Sequence, residues 1–134
     1  MFLTKLALPP SWRRKRKLVL GFIKRPVCPV NEFMVIINSA PKNIELRNVQ
    51  REYFKQLPNS HLYSVYFILG RTDVELEDSE DIVIGDFKDS YENLVLKTKS
   101  AYEYFESCEK PKYFLIQDDD VWSNIGENVS FYII

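Results

Sequence analysis

Apolar positions along this chain follow two rhythms. Residues 33–38, Phe-Met-Val-Ile-Ile-Asn, form an unbroken apolar run that stops at Ser39-Ala40-Pro41, the pattern of a strand buried on both faces and leaving into a loop. Asn43 is placed to cap a helix from Ile44 to about Gln56, with Ile44, Val49 and Phe54 among its apolar positions and Pro58 closing it. Residues 61–69 are β-branched and aromatic and stop at Gly70, which predicts a second strand. Residues 75–80 form an acidic connection with room for one helical turn, and residues 81–85 a short third strand that Asp86-Phe87 leaves. A long helix is predicted over residues 90–108, capped by Asp89 or Ser90, with Leu94, Leu96, Ala101, Tyr104 and Phe105 as its buried stripe. Residues 112–116 are the last strand. Strand, helix, strand, strand, helix, strand is the order of an α/β fold built from βαβ units.

The last strand runs into Asp118-Asp119-Asp120, and Val121-Trp122 follows at once. Three adjacent carboxylates repel one another, and a hard divalent cation bound through carboxylate oxygens supplies the compensating charge. In an open α/β sheet the carboxyl ends of the strands are also where ligands bind. The stretch therefore predicts a metal-dependent site for a phosphorylated substrate. A solvated acidic turn is the competing reading, and spacing alone does not choose between them.

Composition narrows the class of protein. A length of 134 residues fits one domain, and 46% hydrophobic with 28% charged residues is a globular balance that excludes a disordered chain. A net charge of −1 argues against a general nucleic-acid binder. The charge is uneven, with a basic block at Arg13-Arg14-Lys15-Arg16-Lys17 and an acidic stretch over residues 73–81. The block reads as part of a flexible leader over residues 1–30, or as a nuclear-localisation or anionic-lipid patch. The apolar patch after it, residues 18–23, is far short of the roughly 20 residues a membrane span needs. Residues 1–8 are likewise too short for a secretory signal. Cys28 and Cys108 are too few for a disulfide scaffold and are not spaced as a zinc site; a single bridge and two buried thiols both remain open.

Four blocks, in order over residues 28–124, carry a family resemblance. Ser39-Ala40-Pro41, followed by Arg47 and then Arg51-Glu52, resembles the serine-alanine-proline and arginine-x-x-x-arginine-glutamate segment of the β-1,3-galactosyltransferase family, which includes β-1,3-N-acetylglucosaminyltransferases (glycosyltransferase family 31). Residues 65–70 resemble its second strand. Asp86-Phe87-Lys88-Asp89-Ser90-Tyr91-Glu92-Asn93-Leu94-Val95-Leu96-Lys97-Thr98 is similar to its aspartate-phenylalanine-x-aspartate-serine-tyrosine block. Cys108, Tyr113 and Asp118-Asp119-Asp120-Val121 stand where the family has its cysteine, strand and DxD motif. The departures are Phe54 in place of a tryptophan, Ile116-Gln117 in place of lysine-x, and Trp122-Ser123 within the segment after the triad.

The resemblance implies a truncated GT-A type, Rossmann-like nucleotide-sugar-binding sheet, with residues 31–134 as the donor-binding half of a glycosyltransferase domain. It implies a hexosyltransferase moving galactose or N-acetylglucosamine from UDP-galactose or UDP-N-acetylglucosamine to a glycan acceptor on a glycoprotein or glycolipid. A non-catalytic fragment or pseudoenzyme that keeps only UDP and metal binding is the alternative. Mn²⁺ or Mg²⁺ would bridge the diphosphate to Asp118 and Asp120, with Asp120 the principal ligand, while Asp118 and Asp119 help hold the ribose and the metal's waters. Ser39, Ala40 and Pro41 would border the uridine; Arg47, Arg51 and Lys97 would lie near the nucleotide or brace the acidic loops. The acceptor half and the catalytic base are expected to be missing; Glu127 matches no motif of the family. Golgi residence in a type II membrane protein is implied, with the anchor absent, and Asn128-Val129-Ser130 is a possible glycosylation sequon.

Overall fold

The computed structural model describes residues 21–122. The basic block and the glycosylation sequon lie outside that range. Seven main elements follow one another: β1 (Phe22–Lys24), β2 (Phe33–Asn38), α1 (Ile44–Gln56), β3 (Tyr63–Arg71), β4 (Ile82–Lys88), α2 (Leu94–Ser107) and β5 (Tyr113–Asp118). Short 3-10 turns at Ser60–Leu62 and Tyr91–Asn93 lead into β3 and α2. The expected α/β class is the observed one. No helical turn forms in the acidic connection at residues 75–80, where each potential turn competes with carboxylates drawn towards arginines on α1.

The strands form one sheet in the order β1-β4-β3-β2-β5. β4, β3, β2 and β5 are mutually parallel, and β1 adds an antiparallel edge. This arrangement has one topological consequence. The chain leaves β2 through α1 to reach β3 on one side, and leaves β4 through α2 to reach β5 on the other. The carboxyl ends of β2 and β5 therefore flank a switch point, with Asn38 paired to Asp118.

Alternation along the strands divides the core into two layers. Met34, Ile36, Ile68, Val83, Phe114 and Ile116 meet Ala101, Tyr104 and Phe105 of α2 on one face. Val35, Ile37, Phe67, Leu69, Ile82 and Leu115 meet Phe54 of α1 on the other. Ile44 and Val49, two of the apolar positions of α1, face solvent. The stripe that packs is instead Arg47, Gln50, Arg51 and Phe54, the same helical period carried mostly by polar side chains. Neither helix has the cap its sequence suggests, since the Asn43, Asp89 and Ser90 side chains make no capping hydrogen bond. Asn43 and Asp89 are engaged across the fold, as shown below.

Residues 21–30, assigned by sequence to the leader, are tied to the sheet. β1 pairs with β4, and a disulfide joins Cys28 to Cys108 beyond the end of α2. The Tyr104 hydroxyl donates to the carbonyls of Pro26 and Val27, each at 3.2 Å, and burial pushes its pKa well above the ordinary tyrosine value.

Candidate functional site at the switch point

The acidic triad begins at the last residue of β5 and continues into a turn closed by the Val121 amide donating to the Asp118 carbonyl at 3.2 Å. Its three carboxylates do not share one environment. Asp119 is turned inward and is only 8% exposed. Its Oδ2 accepts from Ser39 Oγ and from Asn43 Nδ2, both at 2.9 Å, and its amide donates to Asn38 O at 3.0 Å. Asp118 and Asp120 point to solvent and have no hydrogen-bond or ion-pair partner among the described residues. The middle carboxylate anchors the turn, and the two flanking ones have no partner among the described residues.

Behind the turn, α1 supplies a buried polar scaffold. Arg47 is completely buried and uses all five of its N–H groups. Nη1 donates to Ser39 Oγ (3.0 Å) and Ala40 O (2.7 Å), and Nη2 to Pro41 O (3.0 Å) and Glu77 Oε1 (2.8 Å). Nε donates to Glu77 Oε2 at 2.7 Å. This fork holds the Glu77 carboxyl down at a pKa of about 2 and fixes the Ser39–Ala40–Pro41 loop by its oxygens. Arg51, one turn further on, grips Asp81 through Nε at 2.7 Å and Nη2 at 2.8 Å, reaches Glu77 at 3.0 Å and stacks over Phe67. Its hydrogen bond to Asp81 raises the guanidinium pKa. Both arginines brace the acidic connection, and neither guanidinium is presented to the switch point as a free donor.

Lys97 comes from α2, on the opposite face of the sheet. Its buried ammonium donates to Ser39 O at 2.9 Å and to Asp89 at 3.1 Å, while Asp89 also accepts from the Gly70 amide at 2.7 Å. Asp86 is half-exposed and pairs with Arg71 at 3.2 Å. Of the residues picked out from sequence, the structure thus gathers Ser39, Ala40, Pro41, Arg47, Lys97 and Asp118–Asp120 around the ends of β2 and β5. Arg51 lies apart, beside the start of β4.

Four participants were not picked out as site residues: Asn43, Gln50, Glu77 and Gln117. Gln50 Nε2 donates to Asp119 O at 2.9 Å and to Val121 O at 2.8 Å, and Gln117 Nε2 joins it on Val121 O at 3.0 Å. The signal for Gln50 was its spacing, three residues after Arg47 and four before Phe54, which puts it on the buried stripe whatever its polarity.

Two exposed carboxylates two residues apart are a partial set of hard oxygen donors. No group of three or more His, Cys, Asp or Glu side chains able to hold a metal occurs among the described residues. The residues present therefore fit an oxygen-seeking divalent cation that completes its shell with water or ligand oxygens, and they do not fit a closed structural metal centre.

A largely parallel α/β sheet with an acidic turn at its switch point defines a Rossmann-like domain of the kind found in glycosyltransferases. The family model described as galactosyltransferase matches residues 51–133, and the chain belongs to that family. It is 32% identical over 108 residues to beta-1,3-galactosyltransferase 4 of Mus musculus, covering 72% of this chain and 29% of the relative. It is 34% identical over 119 residues to UDP-GalNAc:beta-1,3-N-acetylgalactosaminyltransferase 1 of Mus musculus, covering 77% of this chain and 36% of the relative. The human form of the latter is 32% identical over the same length. The chain spans about a third of the length of these curated relatives. No helix among the described residues is long and apolar enough to cross a membrane.

Proposed function

We propose that this chain is the donor-binding part of a β-1,3-hexosyltransferase and holds the diphosphate of a UDP-sugar at the switch point through a divalent cation, Mn²⁺ or Mg²⁺. The observation that carries the reading is the division of labour in the triad. Asp119 is consumed in anchoring the turn, which leaves Asp118 and Asp120 exposed, without partners among the described residues, at the carboxyl ends of β5 and β2. Asp118 and Asp120 would hold the cation, which when bound would supply positive charge opposite a nucleoside-diphosphate leaving group. The protein's own contribution is to hold the two carboxylates still and to shape the rim. The Ser39–Ala40–Pro41 loop, with Ala40 exposed and its carbonyl turned inward to Arg47, borders the nucleoside. Asp118 also faces the ribose. Arg47 and Lys97 fix that loop from opposite faces of the sheet and keep cationic charge beneath the acidic rim.

The acceptor is a glycan, as in the family, and the donor sugar is galactose or an N-acetylhexosamine. The acceptor-side chemistry is assigned to none of the described residues. The Cys28–Cys108 disulfide supports residence in an oxidising compartment, and the Golgi lumen is the one proposed.

Thermal-shift titration of the chain with UDP and Mn²⁺ tests the reading. A rise in melting temperature that needs both ligands and vanishes in Asp120→Asn is the expected result. Stabilisation by UDP without metal, or the same shift in Asp120→Asn, overturns it. Transfer from UDP-galactose or UDP-N-acetylgalactosamine to a β-linked sugar acceptor is assayed in parallel and separates donor binding from turnover.

A further inference from the structure

Gln50 is a buried amide on a helix face that otherwise packs against the sheet. Its carbonyl oxygen, Oε1, has no hydrogen-bond partner among the described residues. An apolar side chain of similar length would avoid that desolvated acceptor, so the glutamine is stabilised at this position only through its other end. There, a single –NH₂ group binds the carbonyls of Asp119 and Val121, the residues on either side of Asp120. Both of its hydrogens are used, and Gln117 fills the second lone pair of Val121 O. With the Asp119 amide on Asn38 O and the Val121 amide on Asp118 O, the backbone carrying Asp120 is held at both ends. Among the described residues, the one exposed carboxylate beyond the end of β5, that of Asp120, is thereby fixed relative to Asp118, which the ladder with β2 already fixes.

We propose that Gln50, assisted by Gln117, is a positioning residue that presets the separation of the Asp118 and Asp120 carboxylates for a divalent cation. The proposal rests on the donor-site reading above. It touches no substrate atom and acts through the peptide groups flanking Asp120. Outer-shell partners of this kind alter metal affinity by about 10- to 100-fold when removed. Gln50→Met keeps side-chain length and removes both donors. Asp119 O then loses its partner, while Val121 O keeps Gln117.

The test is a titration of Mn²⁺ into the full chain in the presence of UDP, read by loss of the electron paramagnetic resonance signal of aqueous Mn²⁺. Calorimetric UDP affinity at saturating Mn²⁺ and the melting temperature without ligands are measured alongside. In Gln50→Met the apparent Mn²⁺ dissociation constant is expected to rise about tenfold, with UDP affinity at saturating Mn²⁺ within about twofold of the parent. A residue that only stabilises the fold would lower the melting temperature and leave the Mn²⁺ midpoint in place, and that outcome overturns the proposal. Val49→Ala, on the exposed side of the same helix, serves as the control. If Gln50→Met does not fold, Gln117→Met decides the matter, since it removes one of the two donors to Val121 O; an unchanged Mn²⁺ midpoint there overturns the proposal equally. Absence of Mn²⁺ uptake by the parent chain with UDP instead sinks the donor-site reading and takes this inference with it.

Discussion

Replacing Arg47 by methionine keeps the aliphatic stem of the side chain and deletes all five of its donors. Its partner Glu77 is only 13% exposed, and its carboxyl is held at about 2 rather than the ordinary 4.5, chiefly by the hydrogen bond from Arg47. A depression of that size is linked to about 3 kcal/mol of folding stability. The hydrogen bonds to Ser39 Oγ, Ala40 O and Pro41 O add a part that does not depend on pH. Breaking a buried pair of this kind costs roughly 3–5 kcal/mol at pH 7. The sign follows from the direction of the shift. A lowered carboxyl pKa stabilises the fold fully above pH 4.5 and loses its contribution as pH falls towards 2. At pH 3 the linked part is reduced to about 1 kcal/mol, and since Arg51 and a backbone hydrogen bond hold part of the depression, the penalty of Arg47→Met should shrink by at most about 2 kcal/mol between pH 7 and pH 3. Urea unfolding of both proteins at the two pH values, followed by far-UV circular dichroism, measures it. A penalty that is equal at both pH values would refute the claim that Arg47 acts through the Glu77 charge.

Asp119→Ala should behave unlike its neighbours. It removes the acceptor shared by the buried Ser39 hydroxyl and the half-buried Asn43 amide, leaving Ser39 only a long contact to Ala40 O at 3.4 Å, and is expected to cost about 1–3 kcal/mol in urea unfolding, whereas Asp118→Asn and Asp120→Asn should change stability by less than about 0.5 kcal/mol. Equal effects at all three positions would contradict the inward placement of Asp119. Cys28→Ser, or reduction of the bridge to Cys108, opens a cross-link between positions 80 residues apart. The expected loss is about 4 kcal/mol on a chain-entropy estimate, and denaturation with and without reductant measures it.

The hydrophobic pattern made the strands legible because β2, β3 and β5 are buried on both faces and so read as continuous apolar runs. Their ends moved by a few residues: β5 continues through Gln117 to Asp118, since its pairing with β2 carries on past the apolar segment. The helices were legible as helices, and so was the packed face of α2 at Ala101, Tyr104 and Phe105, although Leu94 is exposed; the face of α1 was not. On α1 the period was present in Arg47, Gln50, Arg51 and Phe54, yet three of these are polar, and an apolar-stripe criterion selects Ile44 and Val49 instead. Polar groups can occupy that stripe because acids from the 75–81 connection and carbonyls from two loops satisfy them, and no local feature of the sequence discloses contacts made 26 to 71 residues away. The triad was legible as a candidate site from its composition. That its middle carboxylate is anchored while the outer two are displayed depends on Ser39 and Asn43, which only the parallel pairing of β2 with β5 brings near. Asp89 was mistaken for a helix cap for the same reason, since its partners Gly70 and Lys97 lie on other elements.

The disulfide closes a covalent ring over residues 28–108 that encloses β2, α1, β3, β4 and α2 and leaves β5 outside. Among the described residues β5 is bonded to the sheet only along β2, so it can fray by itself while the ring stays folded. Amide protons of β5 and of the acidic turn then exchange with solvent through local openings, ahead of those of β2 and β3. The order of the metal-facing turn is to that extent a separate quantity from the stability of the domain, and a bound donor that bridges the turn to the rim of β2 would slow exchange in β5 first.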